Sequence, residues 1–349
     1  MRHRVLASLG VVVAVILLVS LAPDAVAGQG PSGAATADKV STPPRTPWGH
    51  PDLQGVWDYR TITPLERPDE LGGKQVLTEQ EIAEYERQQA EVRNRDRRDG
   101  TPQADVQRAY NHFWWDFGTK VVGTNRTSLI VDPPDGKIPP LTPDAQKRAE
   151  ARRGLATNNA REEGGAGRGF DSYENRPLAE RCILWRTAGP PMMPGPYNNN
   201  VQLFQTPDYV VIFNEMVHEN RMVPLDGRPH ISQGIRQLLG DSRGRWEGNT
   251  LVVETTNFTD KSAFQGSTQN MHLIERFSLV VPDTLLYEFT VNDSATFTRA
   301  WTAQVTMARS PEPIYEYACH EGNYAMRHGL EGARNLEKAA AEAVRKGSR

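Results

Sequence analysis

This chain has little of what usually announces a function. It holds two cysteines in 349 residues, which excludes both a paired Cys-x-x-Cys zinc knuckle and a disulfide-dense scaffold. No His-x-His or His-Glu-x-x-His spacing occurs, so there is no ready-made zinc-binding helix. Neither sign of charge dominates. The 40 basic and 43 acidic residues leave a net charge of −3, which argues against a nucleic-acid binder that works by neutralising phosphates. Beyond Ala22 no apolar run is long enough to cross a membrane. The glycine-rich stretch 164–169 has no strand before it and no lysine-serine pair after it, so it reads as a loop and not a phosphate cradle.

The opening residues are more informative. Arg2 and Arg4 precede an apolar run from Val5 to Ala22, and Ala25-Val26-Ala27 has the small-x-small spacing of a signal-peptidase site. Cleavage after Ala27 is the reading adopted, because Pro23 breaks the run. Retention as a membrane anchor is its alternative, since the run approaches spanning length. Either way the working protein is expected to be secreted or periplasmic. In such a compartment Cys182 and Cys319 read as a disulfide, with two buried thiols as the alternative.

With 25 prolines and 29 glycines among short apolar runs, the composition points to a loop-rich, mainly β protein. The expected organisation is a signal peptide over 1–27 and a disordered linker over 28–47. A single β-rich domain then spans 48–335, with a helical insertion at about 78–163, and 336–349 completes a C-terminal helix and tail. Thr78-Glu79-Gln80-Glu81 is a capping box that opens a charged helix. A second helix is expected from about Ala104 to Phe117, with Val106, Tyr110, Phe113 and Trp114 on its packed face. Thr142-Pro143 starts a third.

Asp52–Trp57 is expected to be the entry to a first strand, and a short strand is expected at Thr127–Asp132. From Val201 onward strands follow one another at hairpin intervals: Val201–Gln205, Tyr209–Glu215, Arg221–Leu225, Arg245–Glu247, Thr250–Thr255, His272–Val281, Thr284–Val291, Thr296–Met307 and Ile314–His320. An antiparallel barrel or sandwich is therefore expected, closed by a helix over about Leu330 to Arg345.

Strand alternation sorts the candidate residues by face. Glu275 falls among Leu273, Phe277 and Leu279, and Glu215 beside Val211 and Phe213. A carboxylate on an apolar face needs a partner or a raised pKa. The structural reading is an ion pair to Arg221, Arg276 or Arg299; the functional one is acid–base or ligand chemistry. Among the histidines, His218, His230, His272 and His320 fall in the β region. A divalent metal would need a site assembled from separate strands by His218, His230 and His320. The turn Asp226-Gly227-Arg228-Pro229-His230 gathers polar groups at a strand end, either as a ligand contact or as an Asx-turn closed by its own arginine. Gly240-Asp241-Ser242-Arg243-Gly244 has the spacing of a nucleophile elbow, but a hairpin follows it in place of a helix, so it reads as a turn.

Several long motifs carry a resemblance. They are Gln205-Thr206-Pro207-Asp208, Asp226–His230, Gly240-Asp241-Ser242-Arg243-Gly244-Arg245-Trp246-Glu247-Gly248-Asn249-Thr250-Leu251-Val252-Val253-Glu254-Thr255, Glu275-Arg276-Phe277 and Tyr315–Tyr324. Over about Trp48 to Arg334 the chain resembles a family of uncharacterised exported bacterial proteins associated with Acidobacteria. That resemblance implies a bacterial envelope or secreted setting and brings no catalytic residue with it. Gly55-Val56-Trp57 gives a second similarity, to lipocalin-like barrels, from which the helical insertion departs.

Three functions remain open at this point. The first is an exported protein binding a small molecule in a β-barrel-like cavity, with Arg221, Asp226, Arg228, His230 and Arg276 as candidate contacts. The second is a hydrolase or isomerase using His218, His320, Glu275 and Glu215, with or without a metal. The third is an envelope interaction protein using the helical region 78–117.

Overall fold

In the computed structural model of this protein, residues 44–103, 111–151, 170–185, 187–262 and 264–347 are described. The signal segment 1–27, the greater part of the linker, residues 104–110 of the second expected helix and the glycine-rich 164–169 lie outside them. The described residues belong to one unit, Thr42–Arg349.

The architecture is mainly β. Ten antiparallel strands form one sheet: β1 (Gly55–Asp58), β2 (Ile130–Asp132), β3 (Asn200–Gln205), β4 (Tyr209–Asn214), β5 (Asn220–Pro224), β6 (Asp241–Glu247), β7 (Thr250–Thr256), β8 (His272–Val281), β9 (Thr284–Asn292) and β10 (Trp301–Ser310). Their order is β5-β4-β3-β1-β10-β9-β8-β7-β6, with β2 pairing beside β10. From β6 to β10, and again from β3 to β5, the order follows chain neighbours, as hairpin connections require. The β6–β7 turn is Gly248-Asn249, between the paired residues Glu247 and Thr250. Gly248 takes φ 61°, the positive value that the first central position of a type II′ turn demands.

Alternation places one side chain in two on a common buried face. Leu285, Tyr287, Phe289 and Val291 of β9 pack with Leu273 and Phe277 of β8 and with Trp301, Val305 and Met307 of β10 in one continuous core. Trp57 joins them from β1. Each such side chain contributes about 1.5–3 kcal/mol through burial, which is what fixes the register. The sheet curls until its two edge strands approach. A Cβ on Gly244 of β6 would lie 2.6 Å from Leu225 Cδ2 and 2.8 Å from Val223 Cγ1, yet no ladder pairs β5 with β6 among the described residues.

Among the described residues three longer helices lie outside the sheet: α1 (Glu79–Arg93), α2 (143–151) and α3 (Tyr324–Gly347). The expected capping box opens α1, with the Thr78 amide donating to Glu81 Oε2 at 2.8 Å and the Glu81 amide to Thr78 Oγ1 at 3.4 Å. Thr142 Oγ1 caps α2 by accepting from the Ala145 amide. No helix among the described residues is long and apolar enough to cross a membrane.

Several expectations need correction. Arg45 and Thr46, assigned to the linker, are folded: Arg45 bridges to Pro51 and donates to Asn249 on the β6–β7 turn. Strand β6 starts at Asp241, so the Gly-x-Ser-x-Gly stretch is strand and not turn. Residues 314–320 form no strand; they run as coil, and the disulfide ties them down in place of ladder bonds. Strand β10 starts at Trp301, because Asp293 accepts the Thr296 hydroxyl and holds the preceding turn. Within the second expected helix, His112–Trp114 is a single 3-10 turn, and Phe113 and Trp114 stand 84% and 62% exposed.

Candidate functional site

Cys182 and Cys319 form the expected disulfide, with Cα atoms 5.7 Å apart. It joins two stretches outside the sheet, one before β3 and one after β10.

The expected carboxylate on the apolar face is Glu275, and its partner is Arg221. The contact is bidentate, Nη1 to Oε2 at 2.6 Å and Nη2 to Oε1 at 2.8 Å. The Tyr287 hydroxyl donates to Oε1 at 2.7 Å and accepts from the Met192 amide at 3.1 Å. Glu275 has no exposed surface. Burial alone would pull the Arg221 guanidinium down, but the adjoining Glu275 carboxylate outweighs it and holds Arg221 above its ordinary value. Burial first, and then the Glu275 charge, keeps the Tyr287 phenol protonated well above its usual range. Three donors thus hold a carboxylate that has no exposed surface. Arg276 lies on the opposite face and pairs with Glu247 at 2.8 Å.

Glu215 is not where alternation placed it. Strand β4 ends at Asn214, and its buried face is Val210, Ile212 and Asn214, so Val211 and Phe213 are its outer neighbours. Glu215 sits just beyond in a helical conformation, buried, accepting from Asn200 Nδ2 at 2.8 Å. Burial, followed by the charge of Glu215, raises the nearby Tyr59 phenol.

The histidines do not form the expected metal set. His218 is exposed in a left-handed turn with φ 43°, and His320 is exposed on the coil before α3. His230 is drawn to Asp241, Nδ1 to Oδ2 at 2.8 Å, while Arg243 takes the other Asp241 oxygen at 2.8 Å. His272 pairs with Glu254 at 2.6 Å. Among the described residues no group of three or more His, Cys, Asp or Glu side chains is placed to hold a metal ion. Asp226 accepts from the Arg228 amide at 3.1 Å and from its guanidinium, which is the Asx-turn arrangement.

No motif or spacing announces the concavity that the fold creates. A cleft of about 530 Å³ opens between α1, the stretch 112–123, the residues after β1 and the outer side of β10. Arg60 lies across it, donating from Nε to Asp58 at 2.7 Å and from Nη1 to Asp116. The bond to Asp58 and, after it, that to Asp116 raise the Arg60 guanidinium against the opposing effect of burial. Burial raises the Asp116 carboxyl more than Arg60 lowers it. Gly118 makes this approach feasible: it has φ 76°, and a Cβ there would fall 2.9 Å from Arg60 Cβ. On the helix side Lys120 Nζ meets Glu86 at 2.7 Å.

A stack of planar groups forms one wall. Trp115 and Phe117 lie parallel with centroids 5.1 Å apart. The Arg95 guanidinium covers Trp115 at 4.6 Å, and that of Arg93 covers Phe117 at 5.1 Å. These two rings, not Phe113 and Trp114, are what packs against the body. Their i, i+2 spacing belongs to extended chain, which a helical reading of 104–117 passes over.

Comparison of the chain with family models, curated proteins and solved structures returned no match.

Proposed function

We propose that this is an exported bacterial protein that binds a small molecule, and that the ligand seats in the cleft between α1 and the outer wall of the sheet. The observation that carries this reading is the cleft itself. Its volume falls within the range of small-ligand sites, and polar groups from separate segments converge above an apolar floor. The interior of the sheet is a poor alternative, since Trp57, Tyr287, Phe289 and Trp301 fill it. Export is supported by the disulfide, by the Arg-led apolar run at the start of the sequence, and by the resemblance of the hairpin motifs to exported proteins. A His/Glu hydrolase has less support: His218 and His320 are exposed, and Glu275 is fully engaged.

Ala90, an exposed residue of α1 on the cleft, provides the test. A compound library is screened by thermal shift; a ligand at 100 times its Kd adds about 2.7 kcal/mol to stability. Hits are expected to lose their effect in Ala90→Trp, which fills the cleft without disturbing the core. Hits that act equally on Ala90→Trp would place the ligand elsewhere and refute the proposal.

A further inference from the structure

The cleft contains as many acids as bases, but they are not evenly shared. Arg60 takes both Asp58 and Asp116, and Lys120 takes Glu86. Arg93 is left over. Its Nε donates to the Gln89 side-chain oxygen at 3.2 Å, its Cζ lies over the Phe117 ring at 5.1 Å, and neither terminal nitrogen meets a protein acceptor among the described residues. The contrast with Arg87, six residues earlier on the same helix, is direct: that residue holds Glu84 and Glu91, both at 2.7 Å. Burial lowers the Arg93 guanidinium, and no carboxylate acts in the other direction. The partial negative charge at the end of α1 offsets only part of that cost.

From this arrangement we infer that the cleft receives a small carboxylate with an apolar body, its anionic end held by the terminal nitrogens of Arg93. The inference rests on the reading that the cleft is the binding site. A guanidinium fork matches a carboxylate through two parallel hydrogen bonds, and the Phe117 ring already lies beside it, 5.1 Å from Cζ to the ring centroid. The body of the ligand has Ala90, Phe117 and Val121 beside it, apolar lining residues that the fold leaves at least partly exposed. A cationic ligand has no comparable partner, because Arg60 and Lys120 already draw on the three carboxylates.

Isothermal titration of the full protein with benzoate, hexanoate and 2-naphthoate, each against its neutral amide, tests the class. At least one carboxylate is expected to bind and to exceed its amide by roughly tenfold or more, the weight of a charge-assisted hydrogen bond. Arg93→Gln should remove that preference, Arg93→Lys should restore part of it, and melting temperatures verify that both fold. Amides that bind as well as acids, in the parent and in Arg93→Gln alike, would overturn the anion while leaving the cleft in place, provided Ala90→Trp abolishes both. Carboxylate binding that survives Ala90→Trp overturns both readings, and failure of all three acids to bind overturns this one.

Discussion

Arg221 on β5 and Glu275 on β8 meet in a bidentate ion pair inside the core, although their strands stand near opposite ends of the sheet order. The pair therefore acts across the curl of the sheet and not along a ladder. Gly244 shows how the space is found. It pairs with Val253, which pairs with Glu275, and its missing side chain lets β5 come close at that level. The polar bridge and the glycine gap both act where the two edges of the sheet approach each other.

Breaking this pair on one side should be expensive. Glu275→Gln or Arg221→Met leaves a buried uncompensated charge and is expected to cost about 3–5 kcal/mol in urea unfolding. The double variant Arg221→Met with Glu275→Leu should recover most of that, since an apolar pair of similar volume restores packing without the desolvation cost. Additive single effects below about 1 kcal/mol would show that the two groups do not depend on each other.

The disulfide closes a separation of 137 residues. Chain entropy allows about 5 kcal/mol for such a loop, and real bridges give about 2–4. Cys182→Ser with Cys319→Ser is expected to lower unfolding stability within that smaller range while the sheet's circular dichroism persists. A variant as stable as the parent would mean that the two stretches are held by packing alone.

Much of the sheet was legible because its strands alternate cleanly and its turns carry Gly248 or Pro-Asp pairs. The same alternation exposed Glu275 as a carboxylate needing a partner, and Arg221 was among the three arginines it suggested. It failed for Glu215, because β4 ends at Asn214 and the next residue turns helical, so strand alternation no longer assigns its face. It failed again at 314–320, where Tyr315 and Tyr317 alternate but Pro311 and Pro313 precede them and no strand pairs with them. The cleft was the least legible feature. Asp58, Glu86, Arg93, Asp116 and Lys120 each look like ordinary surface charge in the sequence, and only tertiary packing brings them to one concavity.

Helix α1 should have an acid-sensitive start. The Lys74 ammonium first, and the Thr78 amide and hydroxyl after it, lower the Glu81 carboxyl to about 2. A carboxyl lower in the folded than in the unfolded chain adds stability above its ordinary value near 4.5, and that stability is lost as pH falls toward 2. Glu81→Gln should therefore flatten this part of the pH–stability curve and match the parent at the acid end. Titration of the Glu81 side chain by NMR at its unperturbed value would remove the basis for this.

The seam between β5 and β6 gives the most direct test of how the sheet closes. Gly244 has no need of a left-handed backbone, so any cost of Gly244→Ala comes from space and not from strain. The new methyl would press on Val223 Cγ1, which is stiff at χ1, and on Leu225 Cδ2, which can turn aside. Overpacking of this kind is expected to cost about 1–3 kcal/mol. Combining Gly244→Ala with Val223→Ala should cost less than the sum of the two changes, because the second makes room for the first. If Gly244→Ala is neutral and the two changes add, the edges are not packed together in solution, and the Arg221–Glu275 pair alone holds that side of the core.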